Sequence, residues 1–443
     1  MTDVDAASAP AARVGPGLGG LLDELRWRGM FHEATPGLER RLAAGPPLAG
    51  YNGFDPTAAS LHIGHLVPIF GLIHFQRRGG RPVALVGGAT GMVGDPSGRS
   101  SERNLLDRAT LEANVASIRD QLARFLDFSP GAAQAEMANN LEWTQDVTVL
   151  DFLRDVGKHF TVPYMLAKDS VQQRMERGLS FTEFSYMLLQ AFDFRHLYAR
   201  HGVELQMGGA DQWGNITAGL ELIRRSVGGG DEPAEERAHG LAYPLLLAPS
   251  GAKFGKTEGG ESVWLDPNLT SPYAFYQYWL NADDRDVAIY LRWFTLLGRK
   301  EIETLEGEQA ARPEARPAQR ALARDLTARV HGAAEAARAT ELSEAIFSGR
   351  LGELSEALLV AAARELPHAQ VPAAAGATAG GLALAAGAYG SNGELRRGIA
   401  GGGLYVNDVR VTDANEAAPA PLHGRFWIIR TGKRNQRIVE RSG

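Results

Sequence analysis

Short apolar runs alternate with longer helical patterns along the chain up to about Pro249. RPVALVGG (81–88) has the composition of a buried strand that ends in glycines, and VELQMGG (203–209) has the same form. NITAGLELIRR (215–225), which follows the second strand, has helical spacing. The alternation is typical of βαβ units and predicts a mostly parallel, doubly wound sheet. Ligands bind such sheets where strands end and helices begin, although paired glycines are also ordinary turn residues.

The pattern becomes mainly helical in the second half of the chain. Ser271 has the position of an N-cap and Pro272 that of a first helical residue. Helical spacing then continues to about residue 348, with a break marked by Pro313 and Pro317. We therefore predict a helical domain in this region.

The C-terminal segment combines basic and aromatic residues. Residues 371–390 are low in complexity and fit either a linker or a weak helix. GLYVNDVRV (403–411) and RFWIIRTGKRNQRIVE (425–440) have the pattern of short strands joined by turns. From residue 395 onward, eight arginines and Lys433 stand against four acidic residues. This segment suits contact with an RNA backbone, and a solvated hairpin is the alternative.

Composition narrows the class of protein. The 443 residues exceed what one small core needs, so two or three domains are expected. The net charge of -6 argues against a chain that coats nucleic acid indiscriminately. The absence of cysteine excludes disulfides, thiolate zinc sites and thiol nucleophiles and favours the cytosol. No run of residues is apolar enough for a membrane span, and the first residues lack the features of a signal peptide.

Two histidines stand three positions apart in SLHIGHL (60–66). On a helix capped by Ser60, both rings would lie at the positive N-terminal end, where phosphate binds. Gly64 between them permits close approach of a ligand to the backbone. A metal site is disfavoured because no carboxylate lies in this run, whereas a core role for His62 and His65 remains open.

The segment FTEFSYMLLQAFDF (181–194) predicts a helix, because Ser180 and Glu183 form a capping-box pattern in front of it. Tyr186, Gln190 and Asp193 then fall on one stripe of that helix. A polar stripe usually faces water. Here apolar residues occupy most of the remaining surface, so we expect a buried helix whose polar stripe faces a cavity.

Lysine is scarce in this chain, yet SGAKFGKT (250–257) carries both Lys253 and Lys256. The segment fails the P-loop pattern, because Ser250 occupies the position of the first glycine. Two ammonium groups on flexible stems suit a phosphate whose charge is redistributed during a reaction, with a solvated loop as the alternative.

Two further loops carry acidic residues at expected strand ends. Asp211 follows the strand 203–209, a position from which a carboxylate can bind a ribose hydroxyl. GDPSGRSSERN (94–104) combines Asp95 with Arg99 and Arg103, which suits the distal phosphates of a triphosphate. An ordinary surface loop explains the second segment equally well.

The order of these motifs resembles a known family. HIGH (62–65) followed by KFGKT (253–257) is similar to the paired signature of class I aminoacyl-tRNA synthetases. YNGFDPTAASLHIGH, LVGGATGMVGDPSG, FTEFSYMLLQAFDF and MGGADQWGN together resemble the bacterial tyrosyl-tRNA synthetase family. The resemblance covers nearly the whole chain and includes a C-terminal segment similar to the alpha-L type RNA-binding module.

The resemblance implies a Rossmann-like catalytic domain followed by two RNA-binding domains. The predicted boundaries are a disordered leader (1–18), the catalytic domain with the dimer interface (19–243), a linker with the KFGKT loop (244–270), a helical anticodon-binding domain (271–350), a second linker (351–380) and the alpha-L type module (381–443).

Roles carry over from the family to matching positions in this chain. The phenol hydroxyl of tyrosine would be held by Tyr51 and Asp193, and its α-ammonium group by Asp95, Tyr186 and Gln190, with Asn140 and Gln212 nearby. The ATP site would include Asp55, Thr57, His62, Gly64, His65, Gly209, Asp211 and Lys256. The pyrophosphate leaving group would be stabilised by Lys253, Lys256 and Thr257, helped by Arg99 and Arg103. RNA contacts would come from Arg396, Arg397, Arg410, Arg430, Lys433 and Arg434.

The family reaction joins tyrosine to tRNA in two steps through a tyrosyl-adenylate. ATP with Mg²⁺ is expected as a substrate, without a protein-bound metal or prosthetic group. The expected partners are L-tyrosine, tRNA(Tyr) and a second copy of the chain, with a cytoplasmic location and no membrane. Asn52 and Arg99 depart from residues common in the family, and Pro68 stands in the early turns of the helix that HIGH begins.

Two other functions fit the same fold. A tryptophan-specific relative would have no use for Asp193 aimed at a phenol. A catalytically inactive, synthetase-like RNA-binding protein would need neither His65 nor Lys256, so the phosphate motifs disfavour it.

Overall fold

A computed structural model describes most of the chain. The described residues are 17–95, 106–168, 171–172, 175, 178–226, 237–246, 254–255, 260–372, 378–432 and 435–442. Packing divides them into two compact units, one formed by residues up to 270 together with 280–330, and the other by 271–279 together with 331–443.

The first unit is built on a six-stranded sheet. Its strands are β1 (Glu33–Ala34), β2 (Ala49–Phe54), β3 (Arg81–Val86), β4 (Glu136–Asn139), β5 (Val203–Gly209) and β6 (His239–Tyr243). They lie in the order β1–β6–β5–β2–β3–β4, and only the short β1 is antiparallel to its neighbour. The near-continuous burial of β2, β3 and β5 is typical of parallel strands covered on both faces.

Seventeen α-helices lie wholly within the described ranges. They are α1 (Leu21–Arg28), α2 (Leu38–Ala43), α3 (Leu66–Arg77), α4 (Arg108–Leu122), α5 (Leu141–Thr144), α6 (Val149–Asp155), α7 (Val162–Leu166), α8 (Phe181–His201), α9 (Trp213–Ser226), α10 (Pro272–Leu280), α11 (Val287–Phe294), α12 (Arg299–Ala311), α13 (Pro317–His331), α14 (Ala333–Ser348), α15 (Glu356–Glu365), α16 (Ala379–Ala385) and α17 (Asn392–Ala400). None of them is long and apolar enough to cross a membrane.

Helices cover both faces of the first sheet. Tyr51 packs with Phe194 of α8, whereas Gly50 lies against the ring of Phe75 on α3. Successive strand residues point to opposite faces, so α8 and α3 lie on opposite sides of β2. The predicted α/β, doubly wound sheet is confirmed.

The second unit has its own sheet. Its strands are β7 (His368–Pro372), β8 (Leu404–Val406), β9 (Val409–Arg410), β10 (Phe426–Thr431) and β11 (Asn435–Ser442), in the order β7–β11–β10–β8–β9. Leu382, Leu395 and Trp427 belong to one buried cluster of this unit. The short strands predicted near the C-terminus are confirmed, and residues 379–385 form a helix.

Several local predictions meet a definite outcome. Ser180 caps α8 through a hydrogen bond from the backbone of Glu183 (3.2 Å), and Ser271 caps α10 as expected. Ser60 does not cap the HIGH helix; its hydroxyl donates to the carbonyl of Leu61 instead. Pro68 is the third residue of α3, where a backbone N–H has no partner within an α-helix, so proline is tolerated there.

The predicted domain boundaries stay predictions, and the packing units differ from them. The helical stretch 271–350 contributes α10 and α14 to the second unit, whereas α11 and α12 belong to the first. The segment 351–380, expected to be a linker, contains α15 and β7. Residues 1–16 of the expected leader lie outside the described residues, and Leu18 is buried.

Candidate active site

A cavity of about 520 Å³ opens at the carboxyl ends of β2, β3 and β5. This volume is usual for a small-molecule site. β2 pairs with β3 on one side and β5 on the other, so the cavity occupies the point where the strand order reverses. The predicted site residues that line it are Tyr51, Asp55, Gly64, His65, Asp95, Tyr186, Gln190, Asp193, Gly209, Asp211 and Gln212.

Tyr51 and Asp193 form a polar patch in the buried part of the cavity. Tyr51, from β2, is 1% exposed, and Asp193, from α8, is 2% exposed. The Tyr51 hydroxyl has no hydrogen-bond partner among the described residues. Burial, and then the nearby Asp193 charge, raise the pKa of the Tyr51 phenol well above its usual value. A neutral hydroxyl beside a carboxylate is thus ready to bind a polar group that enters the cavity.

Two neutral donors hold the carboxylate of Asp193. The side-chain amide of Asn140 donates to Oδ2, and the indole N–H of Trp143 donates to Oδ1, both at 2.9 Å. Burial raises the pKa of Asp193 to about 7, although these two hydrogen bonds lower it. A third polar group that donates to this carboxylate would stabilise the ionised form further.

A chain of hydrogen bonds runs from Asp193 toward the outer part of the cavity. Asn140, already bound to Asp193, also donates to the hydroxyl of Thr90 at 3.0 Å. Thr90 donates to Oδ1 of Asp55 at 2.8 Å, and the phenol of Tyr186 donates to Oδ2 at 2.8 Å. These contacts fix the orientation of Asp55, Thr90 and Tyr186, which line the cavity.

Asp95, Gln190 and Gln212 form a second polar group on the cavity wall. The amide of Gln212 donates to Oδ2 of Asp95 at 2.7 Å, and the amide of Gln190 donates to Oε1 of Gln212 at 3.3 Å. Oε1 of Gln190 is buried and has no hydrogen-bond partner among the described residues. A carboxylate beside an amide oxygen that needs a donor suits a small ammonium group.

The HIGH segment forms a tight turn rather than a helix with both rings on one face. His62 is extended, and residues 63–65 form a single turn that precedes α3. The backbone N–H of His62 donates to Nδ1 of His65 (3.1 Å), and that of Gly64 donates to Nδ1 of His62 (3.0 Å). A Cβ on Gly64 would lie 2.7 Å from the His62 ring, so only glycine fits.

Asp211 and Gly209 line the cavity where β5 ends. Burial, followed by the charge of Asp95, raises the pKa of Asp211. Thr57 is exposed in the loop after β2, and its backbone N–H donates to the carbonyl of Asp55 at 2.8 Å. Strand ends thus supply acidic groups that can accept hydrogen bonds from sugar hydroxyls.

Comparison with known proteins decides the family. The family described as tRNA synthetases class I (W and Y) matches residues 44–348. The tyrosine–tRNA ligase of Anaeromyxobacter dehalogenans is 51% identical over 425 residues, which cover 95% of this chain and 99% of the relative. That of Geobacillus stearothermophilus is 49% identical, with the same coverage. The chain belongs to the bacterial-type tyrosyl-tRNA synthetases.

A solved structure agrees with this family. The C-terminally truncated mitochondrial tyrosyl-tRNA synthetase of Aspergillus nidulans matches with a TM-score of 0.64 and 30% sequence identity. The match covers 73% of this chain and 93% of the Aspergillus chain. The predictions of the family, of the fold class and of a tyrosine–tRNA ligase are confirmed.

Several residues predicted for a tyrosyl-tRNA synthetase site lie outside the described residues. They are Arg99, Arg103, Lys253, Lys256, Thr257, Lys433 and Arg434. Between the two lysines, Phe254 lines the cavity and stacks on Phe294 with 5.5 Å between ring centroids. His62, Thr57 and Asn140 lie beside the cavity lining rather than in it.

The predicted RNA-contacting arginines lie in the second unit. Arg396 and Arg397 are exposed on α17, and Arg410 is exposed on β9. Arg430 on β10 is half-buried, with its guanidinium 4.0 Å from the ring centroid of Tyr405. Of these four predicted RNA-contacting arginines, three are therefore exposed to solvent.

Three side chains of the site of this tyrosyl-tRNA synthetase were not predicted. Asn52 lines the cavity and has a buried, unpaired Oδ1, and the available signal is its position next to Tyr51 in the apolar strand β2. Thr90 joins Asp55 to Asn140, and it stands in the glycine-rich turn after β3. Trp143 holds Asp193 from a separate segment and gave no signal. In the described ranges, no three His, Asp or Glu side chains are grouped closely enough to hold a metal ion.

Proposed function

We propose that this synthetase activates L-tyrosine with ATP in the cavity and then transfers it to the 3′-terminal adenosine of tRNA(Tyr). The observation that carries the choice of amino acid is that the unpartnered Tyr51 hydroxyl and the Asp193 carboxylate both face the buried part of the cavity. The phenol hydroxyl of the substrate donates to Asp193 and accepts from Tyr51. An amino acid without that hydroxyl would leave the Tyr51 hydroxyl buried without a partner and Asp193 with only its two protein donors. An unsatisfied buried polar group costs about 1–3 kcal/mol.

The remaining polar groups orient the amino acid for reaction. Asp95 and Oε1 of Gln190 receive the α-ammonium group, and Tyr186 holds Asp55 beside it. The substrate carboxylate is then directed at the α-phosphate of ATP. Attack forms the acyl–phosphate bond and releases pyrophosphate. A carboxylate is already ionised at neutral pH, so no general base is needed, and the protein acts by positioning and charge stabilisation.

The HIGH turn and the lysine loop would handle the phosphates of ATP, which enters with Mg²⁺. His65 lines the cavity, and the His62 ring accepts from the backbone of Gly64 in the same turn, which supports a role for both in phosphate binding. Lys253 and Lys256 would neutralise the charge that develops on pyrophosphate. Lys256→Ala should therefore slow adenylate formation and leave the affinity for tyrosine nearly unchanged, as measured by rapid-quench and equilibrium binding.

Pyrophosphate exchange into ATP tests the proposal with each amino acid in turn. Exchange that depends on tyrosine supports it. Exchange with tryptophan alone would assign the chain to the tryptophan branch of the family. Absence of exchange, with retained tRNA binding, would identify an RNA-binding protein without catalytic activity.

A homodimer is also part of the proposal. Seven of the twelve large exposed apolar side chains among the described residues fall between residues 149 and 181. They are Val149, Leu150, Leu153, Val162, Leu166, Met175 and Phe181. Exposed apolar groups concentrated in one region mark association surfaces in soluble proteins. A second copy of this chain would cover them.

Light scattering after size exclusion tests this assembly. We expect twice the chain mass of 47.7 kDa for the wild type and a single chain mass for the double variant Leu150→Glu, Phe181→Glu. Phe347→Glu is the matched control, because Phe347 is 88% exposed outside this region. An unchanged mass for the double variant would exclude this surface as the interface.

A further inference from the structure

The indole of Trp143 bridges two residues of the same helix. Its N–H donates to Oδ1 of Asp193 at 2.9 Å. Its face stacks on the imidazole of His196, with 4.4 Å between ring centroids and 9° between the planes. Asp193 and His196 are three positions apart on α8, a spacing that places side chains on the same helical face. The indole therefore lies along that face, held at one end by a hydrogen bond and across its plane by stacking.

We propose that His196 is a positioning residue for tyrosine recognition: its ring fixes the plane of Trp143, which in turn aims the carboxylate of Asp193 at the substrate phenol. A hydrogen bond from an indole depends on the ring plane, because the single N–H lies in that plane. If the ring tilts, the N–H moves away from Oδ1. This inference rests on the proposed recognition of tyrosine by Asp193.

The surroundings of His196 favour a neutral ring that stacks. Burial, followed by charge interactions with His201, Arg200 and Arg195, lowers the pKa of His196 to about 4. His201 lies behind the stacked pair, 5.8 Å from His196 and 6.2 Å from Trp143 between centroids. Glu136 on β4 holds His201 through Nδ1 at 2.5 Å. The stack is thus supported from the neighbouring strand.

His196 acts on Trp143 by stacking rather than by a hydrogen bond, and this role can be tested by substitution. An aromatic pair contributes a factor of about 2 to 13 to an equilibrium constant beyond the burial of its area. We expect His196→Ala to raise the KM for tyrosine about fivefold in pyrophosphate exchange and to narrow the preference for tyrosine over phenylalanine. The KM for ATP should stay within about twofold of the wild type, because His196 does not reach the nucleotide part of the cavity.

Two further variants separate positioning from general structure. His196→Phe keeps a flat ring and should restore most of the tyrosine affinity. Trp143→Phe keeps a ring to stack on but removes the indole donor. If His196 acts through that donor, then His196→Ala should add no further increase in KM for tyrosine in the Trp143→Phe background. His32→Ala, at an exposed histidine of the same unit, is the control for loss of an imidazole.

The outcomes distinguish this inference from the proposed function. Full additivity of the two substitutions, or equal effects of His196→Ala and His196→Phe, would overturn the positioning role while tyrosine-dependent exchange by the wild type still stood. Parallel changes in the KM for tyrosine and ATP would also overturn it, since they would indicate a general structural effect. Failure of the wild type to exchange with tyrosine would overturn both.

Discussion

The kcat/KM for tyrosine should depend on pH through the buried carboxyl of Asp193. Burial raises the pKa of Asp193 to about 7 in the unliganded protein. The substrate phenol donates a hydrogen bond, so it needs the ionised carboxylate. We therefore expect kcat/KM for tyrosine to rise with pH through about 7, since this ratio follows ionisation of the free enzyme.

The size of the effect follows from the fraction of ionised carboxylate. With a pKa of about 7, that fraction falls about tenfold from pH 8 to pH 6, which corresponds to about 1.4 kcal/mol of apparent transition-state stabilisation. The same pKa shift has the opposite effect on the stability of the fold. A carboxyl whose pKa is raised by folding contributes its stabilisation below its ordinary pKa of 3.8, and loses it as the pH rises through about 7. Tyrosine binding strengthens over the pH range in which the unliganded fold weakens.

Pyrophosphate exchange with tyrosine and with phenylalanine, from pH 6 to pH 8, measures this effect. The ratio of the two kcat/KM values cancels the ionisation of ATP and of other shared groups. We expect the ratio to fall about tenfold from pH 8 to pH 6, because phenylalanine has no hydroxyl to donate to Asp193. Asp193→Asn, which cannot ionise, should lower kcat/KM for tyrosine about 10- to 100-fold at pH 8 through loss of a hydrogen bond to a charged group.

The control is the pH dependence of the same kcat/KM ratio in the Asp193→Asn enzyme. The ratio for Asp193→Asn should be flat between pH 6 and pH 8. A wild-type ratio that does not change with pH would refute the reasoning, as would an Asp193→Asn enzyme that keeps the wild-type preference for tyrosine.

Three further predictions concern two other residues of the amino acid site and the predicted RNA contacts. Tyr51→Phe should lower kcat/KM for tyrosine about 2- to 13-fold, the size of one neutral hydrogen bond, and leave that for phenylalanine unchanged; an equal loss for both amino acids in exchange assays would contradict its role. Asn140→Ala removes a donor from Asp193, so the pH midpoint of the tyrosine-to-phenylalanine ratio should move upward, and a downward shift would contradict the assignment. Arg396→Glu with Arg397→Glu should impair tRNA charging and reduce its salt dependence without affecting exchange, and charging at the wild-type rate would exclude these arginines as RNA contacts.

Sequence patterns predicted features that depend on neighbours along the chain. The cap at Ser180 and the stripe of Tyr186, Gln190 and Asp193 follow from helical spacing alone, and the structure has both. The cavity position follows from strands that end in glycines, because parallel strands bring their carboxyl ends to one edge.

Features that depend on distant segments were not predicted. Trp143 reaches Asp193 from the short helix α5, and no local pattern indicates which side chain will meet a buried carboxylate.

The cap of the HIGH turn is a local feature for which the prediction is wrong. The sequence favours Ser60, because serine is a common N-cap. The structure uses the ring of His62 instead, since that ring accepts the backbone N–H of Gly64.

The turn at His62 and His65 also determines where each ring carries its proton. Each Nδ1 accepts a hydrogen bond from a backbone N–H, so neither Nδ1 can be protonated while the turn is intact. The turn therefore requires that any proton on either ring be carried by Nε2 rather than Nδ1. A lysine or arginine at either position would add charge but has no lone pair to accept the backbone N–H. The position of the ring proton and the fold of the turn thus depend on the same two hydrogen bonds, in which each side chain acts as an acceptor.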